Sequence, residues 1–276
     1  MLFLNIRRVK MKIKNIKMAA LLLAGTVSMS VPSFAMDVGK IVAKANRTSY
    51  YQAEDGRARV KMVITDSQGR KRTRDFTILR KDMDEEDKEQ KFYVYFNRPA
   101  DVSKTVFMVY KHVGSDDDRW LYLPALDLVK RIAASDERTS FVGSDFFYED
   151  VSGRNPVEDE HELLETTDNF YVVKSTPKEP EAVEFSYFKS YIHKESFIPV
   201  KVEYYDKKGE KYREGSAEKV DNIQGYSTVT QGRMKDLRSG SETVLTYGSV
   251  QYDVGLPDDI FSERYLRQPP SEYLRR

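Results

Sequence analysis

Cysteine is absent from all 276 residues, which removes disulfides, thiolate metal sites and an N-terminal thiol for acylation at one stroke. Histidine is scarce. His112, His161 and His193 are scattered, with no H-x-x-H or H-x-x-x-H pair of the kind that binds zinc from one face of a helix. Ser140, Ser144 and Ser152 stand in no G-x-S-x-G elbow. Asp145, Glu149 and Asp150 lie close together but lack the spacing of a calcium loop. Carboxylates in a turn more often cap a helix or pair with arginine, and a strand arginine such as Arg131 is the expected partner of Asp145 or Asp150. The expectation is a protein with no metal, no cofactor and no catalytic set, hence not an enzyme. Internal repeats are missing too, and the one low-complexity stretch is the charged loop between Lys81 and Lys91.

A long apolar run is also wanting. Residues 18 to 31 are apolar over about 14 positions, interrupted by Gly25, Ser28 and Ser30, against the roughly 20 that a spanning helix needs. Before them stand six basic residues from Arg7 to Lys17, and after them Ser33 and Ala35 supply small side chains at the −3 and −1 positions before Met36. This is the layout of a cleaved secretory signal peptide over residues 1–35. Translation from Met11 would give the same mature chain. Export to the periplasm as a soluble protein is the expectation, with residues 36–276 as one domain.

Removing that leader takes six of the 45 basic residues and none of the 44 acidic ones, which leaves a net charge near −5. Nucleic acid is excluded as a partner, because phosphate-backbone binding needs a concentrated basic footprint. Here the basic run Arg70 to Arg74 is answered by the acidic run Asp82 to Glu89.

What the chain does have is period-two alternation. After a first helix, with Asp37 as N-cap and Val38, Ile41, Val42 and Ala45 on one face, apolar residues recur at every second position. Val60, Met62 and Ile64 alternate with Arg59, Lys61 and Thr65; the Asp66 to Gly69 turn follows, and Arg72 to Leu79 returns. Further strands are expected at 91–97, 105–111, 119–123, 127–132, 161–165, 169–175, 182–192, 199–206, 211–220, 226–235 and 242–252, and a short helix at 258–266. Thirteen strands at hairpin spacing predict a mainly β fold, a large antiparallel sheet that curls or closes.

Several strands are apolar on both faces, as in Val106, Met108 and Tyr110 against Phe107 and Val109, or Trp120 and Tyr122 against Leu121 and Leu123. Both faces must then be covered. Periodicity alone leaves two possibilities open, a packed sandwich core or a cavity for an apolar ligand, where methionine and aromatic rings adapt to irregular shapes.

The residues 118–151 carry a resemblance. W-L-Y-L-P-A-L-x-x-V-x-R-I, from Trp120 to Ile132, followed by S-D-x-R-x-S-F-x-G-S-D-F-x-Y-E-D, from Ser135 to Asp150, resembles the outer-membrane lipoprotein-sorting-protein-like family, a branch of the LolA/LolB-like periplasmic lipid carriers. The resemblance implies an incomplete, half β-barrel with a few helices closing its concave side around a hydrophobic cavity. It further implies non-covalent carriage of a lipid, acylated lipoprotein or other apolar cargo, an inner-membrane RND-superfamily transporter as partner, and an outer-membrane acceptor. Val60, Met62, Ile64, Met108, Trp120, Tyr122, Phe146 and Phe147 are the expected cavity or lid residues. Gly143 to Asp150 fits either a lid or a fixed plug. A transporter adaptor with no cargo of its own is the alternative.

Overall fold

The computed structural model describes residues 36–274, and the expected signal peptide lies outside them. Helix α1, Val38–Tyr50, begins where expected: the Asp37 side chain accepts from the Lys40 amide and satisfies one of the free donors of the first turn. Its buried residues are Ile41 and Ala45.

Thirteen strands follow, all joined in one antiparallel sheet. They are β1 Asp55–Thr65, β2 Lys71–Asp82, β3 Glu89–Arg98, β4 Val106–His112, β5 Asp118–Leu123, β6 Leu128–Ile132, β7 Asp159–Thr166, β8 Phe170–Pro177, β9 Phe185–His193, β10 Pro199–Asp206, β11 Lys211–Ile223, β12 Tyr226–Asp236 and β13 Ser241–Tyr252. Their spatial order is β6-β5-β4-β3-β2-β1-β13-β12-β11-β10-β9-β8-β7. Two meanders, β1 to β6 and β7 to β13, are therefore sewn together in the middle by the pairing of β1 with β13. The sheet is not closed into a barrel, since β6 and β7 are its two free edges.

That order has a topological consequence. β6 and β7 are consecutive in sequence but lie at opposite edges, so residues 133–158 must travel from one edge to the other. They carry the motif from Ser135 to Asp150, with a short helix α2 at Tyr148–Ser152. Phe141 from this segment packs on Phe76, Phe96 and Phe107 at centroid separations of 6.4, 5.7 and 5.4 Å. The connection thus crosses one face of the sheet and plugs part of it.

Strand register sorts the apolar residues into two opposite faces. Directly paired residues share a face, and Ala58, Ile78, Val94, Phe107 and Leu121 pair in succession across β1 to β5. All five pack in one cluster with Met62 and Phe141. One residue out of phase, Leu79, Tyr93, Met108 and Trp120 pair in the same way and pack against Leu256, Ile260, Phe261, Leu266 and Leu274. The last segment of the chain, with a 3-10 turn at Asp258–Phe261 and the short helices α3 Arg264–Arg267 and α4 Ser271–Leu274, is thus a strap over that second face. Tyr93 donates to the Tyr265 carbonyl at 2.7 Å, and Tyr110 donates to that of Phe261. Both faces are covered, as strands apolar on both sides require. Among the described residues no helix is long and apolar enough to cross a membrane.

Candidate functional site: an apolar cavity under the first helix

A cavity of about 500 Å³ lies on the first face, within the ~300–1,000 Å³ usual for small-molecule sites. Strands far apart in the sheet reach it: Met62 of β1, Phe76 of β2, Val94 of β3, Val173 of β8, Phe188 of β9 and Met234 of β12 all line it. Such distant strands meet around one space only because the sheet curls. α1 supplies Val42, Ala45 and Ser49 to the same lining, and its apolar stripe packs on Val173 and Ile192.

The C-terminal end of α1 is held by side chains from the sheet. Arg80 gives its guanidinium to the carbonyls of Tyr50, Gln52 and Ala53, the Tyr50 bond measuring 3.0 Å, and Gln90 donates to Tyr50 as well. The Tyr50 carbonyl belongs to the last turn, where a helix has no internal donors left, and Gln52 and Ala53 follow the C-cap Tyr51. Burial lowers the Arg80 pKa, which Tyr252 and the carboxylates of Asp82, Asp55 and Asp253 oppose.

The crossing segment is fixed by a buried ion network. Glu149, 3% exposed, takes Arg138 on one oxygen and Arg154 on the other, the latter at 3.0 Å. Arg138 also reaches Glu184 at 2.7 Å, and Arg154 reaches Asp159 at 3.0 Å and Glu158 at 2.7 Å. Burial works against the charge on Arg138, but Glu149 and Glu184 together outweigh it and hold its pKa above the ordinary value. Glu184, where burial acts in the opposite sense, is brought down to about 2 by its bonds from Arg138 and Tyr212. Asp150 pairs with Arg213 of β11, and Asp145 accepts from Ser241 and Thr243 at the start of β13. The oxygens of Glu137, Glu149 and Glu158 lie within 4.8 Å of one another, yet both oxygens of Glu149 are already bound by guanidinium groups. That arrangement suits an arginine network and not a cation site.

Of the residues expected at the cavity, Met62 and Phe146 line it. Val60 and Ile64 share their face with Met62 and are buried in the same cluster, outside the lining. Met108, Trp120 and Tyr122 are corrected outright: they lie on the opposite face, under the C-terminal strap, because the register puts Phe107, Val109, Leu121 and Leu123 on the cavity side. Phe147 is not in the lining either; it is held between the guanidinium groups of Arg138 and Arg213, 5.1 and 4.0 Å from its centroid. Arg131, the expected partner for the turn carboxylates, pairs instead with Asp118. Sequence reading missed α1 as a wall of the cavity, and missed Phe76, Ile78 and Val94. The hairpin register carries the signal for these three, since Phe76 pairs with Val60 and Ile78 with both Ala58 and Val94.

Comparison with known proteins gives concordant results. A family model described as "Uncharacterized protein" matches residues 88–268. No curated protein matches the chain. Among solved structures, a DUF1329 family protein from Desulfovibrio piger is 31% identical, covers 82% of this chain and 96% of its own, and superposes with a TM-score of 0.75. A domain from Vibrio parahaemolyticus named for outer membrane lipoprotein sorting is 25% identical over 83% of this chain and 97% of its own, also at 0.75. A LolA superfamily protein from Nitrosomonas europaea shares the fold at 22% identity, covering 84% of this chain and all of its own, with a TM-score of 0.65.

Proposed function

We infer the function from one premise: the chain belongs to the DUF1329 family, within the LolA-like group of proteins. The reading we propose is a periplasmic carrier that takes a lipid, an acylated lipoprotein or another hydrophobic molecule into the cavity and passes it on without covalent chemistry. The observation that carries it is the cavity itself, enclosed by apolar side chains from Met62, Phe76, Val94, Phe188 and Met234 and walled by α1. The lipoprotein-sorting name of the Vibrio domain supports it.

The energetics are those of partition. Each methylene removed from water contributes about 0.8 kcal/mol, so a partly enclosed acyl chain reaches micromolar affinity, and release requires an equally apolar next site. α1 is the element that has to move, because it is the helix that walls the cavity, and opening requires its packing on Val173 and Ile192 and the bonds from Arg80 and Gln90 at its end to give way. Delivery begins with export and removal of residues 1–35 ahead of Met36, for which Ser33 and Ala35 provide the cleavage site. An RND-superfamily exporter of the inner membrane is the proposed partner, on the family resemblance of the motif around Trp120 and Asp150.

The test uses the chain from Met36 onward and a fluorescent fatty acid. Saturable binding at micromolar concentration, displaced by phospholipid and weakened several-fold in Phe146→Ala, is expected. Probe binding that never saturates, together with no lipid in extracts of protein purified from the periplasm, would favour the adaptor without cargo.

A further inference from the structure

A second hollow, of about 930 Å³, lies at the end of α1 and shares Thr48 and Gln52 with the cavity lining. Its walls are acidic. Glu54, Asp82, Asp84, Glu85, Asp87 and Asp253 face two cations, Arg47 and Lys81, and both cations are already engaged, Arg47 by Asp87 and Lys81 by Asp258 at 2.6 Å. The other five carboxylates form no ion pair among the described residues.

An independent observation points the same way. Tyr51, which caps α1, lines this hollow and is 0% exposed, yet its hydroxyl has no hydrogen-bond partner among the described residues. Buried hydroxyls are almost always satisfied in native proteins. Burial, helped by the carboxylates of Asp87 and Asp84, also pushes Asp82 up to about 6, a rise that Arg80 and the Asp84 amide only partly oppose.

The shape discriminates between cations. A bare calcium or magnesium ion needs several oxygens at about 2.0–2.6 Å. Among the described residues only Glu137, Glu149 and Glu158, elsewhere in the fold, bring three carboxylates within 4.8 Å of one another. Carboxylates spread around a wide hollow instead suit a charge at the tip of a flexible stem, which can lay its methylenes along Met83 and Tyr226. We propose that this hollow is a docking site for a lysine or arginine side chain of a partner protein, engaging the end of the helix that walls the cavity.

Tetralysine, acetylated and amidated, serves as probe for the chain from Met36 onward, measured by calorimetry at low ionic strength. One saturable site is expected, abolished in 0.5 M NaCl, weakened several-fold by Tyr51→Phe and about tenfold by Asp82→Asn with Glu85→Gln, in line with one desolvated charge pair. Should Asp82→Asn fail to fold, Glu54→Gln with Glu85→Gln alters two exposed side chains and must show the same loss. Equal binding by the folded variants overturns the proposal. So does calcium chloride saturating these carboxylates while tetralysine fails to bind, which would make the hollow a metal site. Fatty-acid affinity of the same variants is expected to stay unchanged, so failure here leaves the cavity reading untouched, and failure there leaves this one.

Discussion

Gly153 shows how much one residue can decide. It sits at φ +80, and a Cβ there would lie 2.4 Å from the ring of Tyr50, so both backbone conformation and close approach demand glycine. The crossing segment and the end of α1 touch at this point. Gly153→Ala should cost about 2–5 kcal/mol, adding roughly 1–2 for the left-handed backbone to 1–3 for overpacking. In a Tyr50→Leu background the overpacking share should shrink while the backbone share stays, which denaturant unfolding of the four proteins of a double-mutant cycle measures. Equal cost in both backgrounds would remove Tyr50 from the explanation. At this scale the sequence told the chemistry of the motif but not its partners. That Asp150 would seek arginine followed from its residue type, whereas Arg213 stands 63 residues away and no local rule could pick it over Arg131.

Elements were legible where alternation was one-sided or a cap was present. Asp37 announced α1, and the hairpin β1 to β2 declared itself through Val60, Met62 and Ile64 before the Asp66 to Gly69 turn and the run Arg72 to Leu79 after it. β4 and β5 were legible as strands, but not their orientation, because Phe107 and Met108, or Leu121 and Trp120, are equally apolar and either set could have faced the cavity. What broke the tie is the C-terminal strap, whose residues Ile260, Phe261 and Leu266 claim the face bearing Met108 and Trp120. Phe261 is fully buried there, so Phe261→Ala should destabilise by about 3–5 kcal/mol. Trp120 is the only tryptophan and reports on the strap directly. Its emission should shift to the red in the folded variant, while the fatty-acid affinity, which belongs to the other face, holds. Loss of affinity without an emission change would place the strap's influence on the wrong side of the sheet.

At the scale of the whole molecule, the joining of β1 to β13 is a pairing between chain segments nearly two hundred residues apart in the numbering, and hairpin logic alone could suggest curling without showing where the sheet stays open. The open edges force the crossing segment over the inner face, where Glu158 joins Glu137 and Glu149, and the titration of such crowded carboxylates, with others on the strands, shapes stability. Burial raises Glu158 to about 7 against the pull of Arg154, with Glu149 and Glu137 adding to the rise, and it raises Asp82 to about 6. Both lie above their ordinary values of 4.5 and 3.8, so the folded state binds these protons more tightly than the unfolded chain, and stability climbs as pH falls through 7 and 6. Glu184 and Glu203 behave oppositely. Burial would raise them, but Arg138 and Tyr212 on the first, and Lys201, Lys211 and Tyr191 on the second, hold both near 2. Their contribution is complete above about 4.5 and is lost as pH falls toward 2. The protein should therefore be most stable between about pH 4.5 and 6, losing melting temperature on both sides, with the alkaline slope shallow because the Glu158 side chain is 42% exposed. Glu158→Gln should flatten that slope between pH 8 and 5 and leave the acid limb in place, as thermal unfolding at constant ionic strength from pH 3 to 8 would show. A melting temperature that rises steadily to pH 8 would mean that these carboxylates are ionised in the fold as readily as in water.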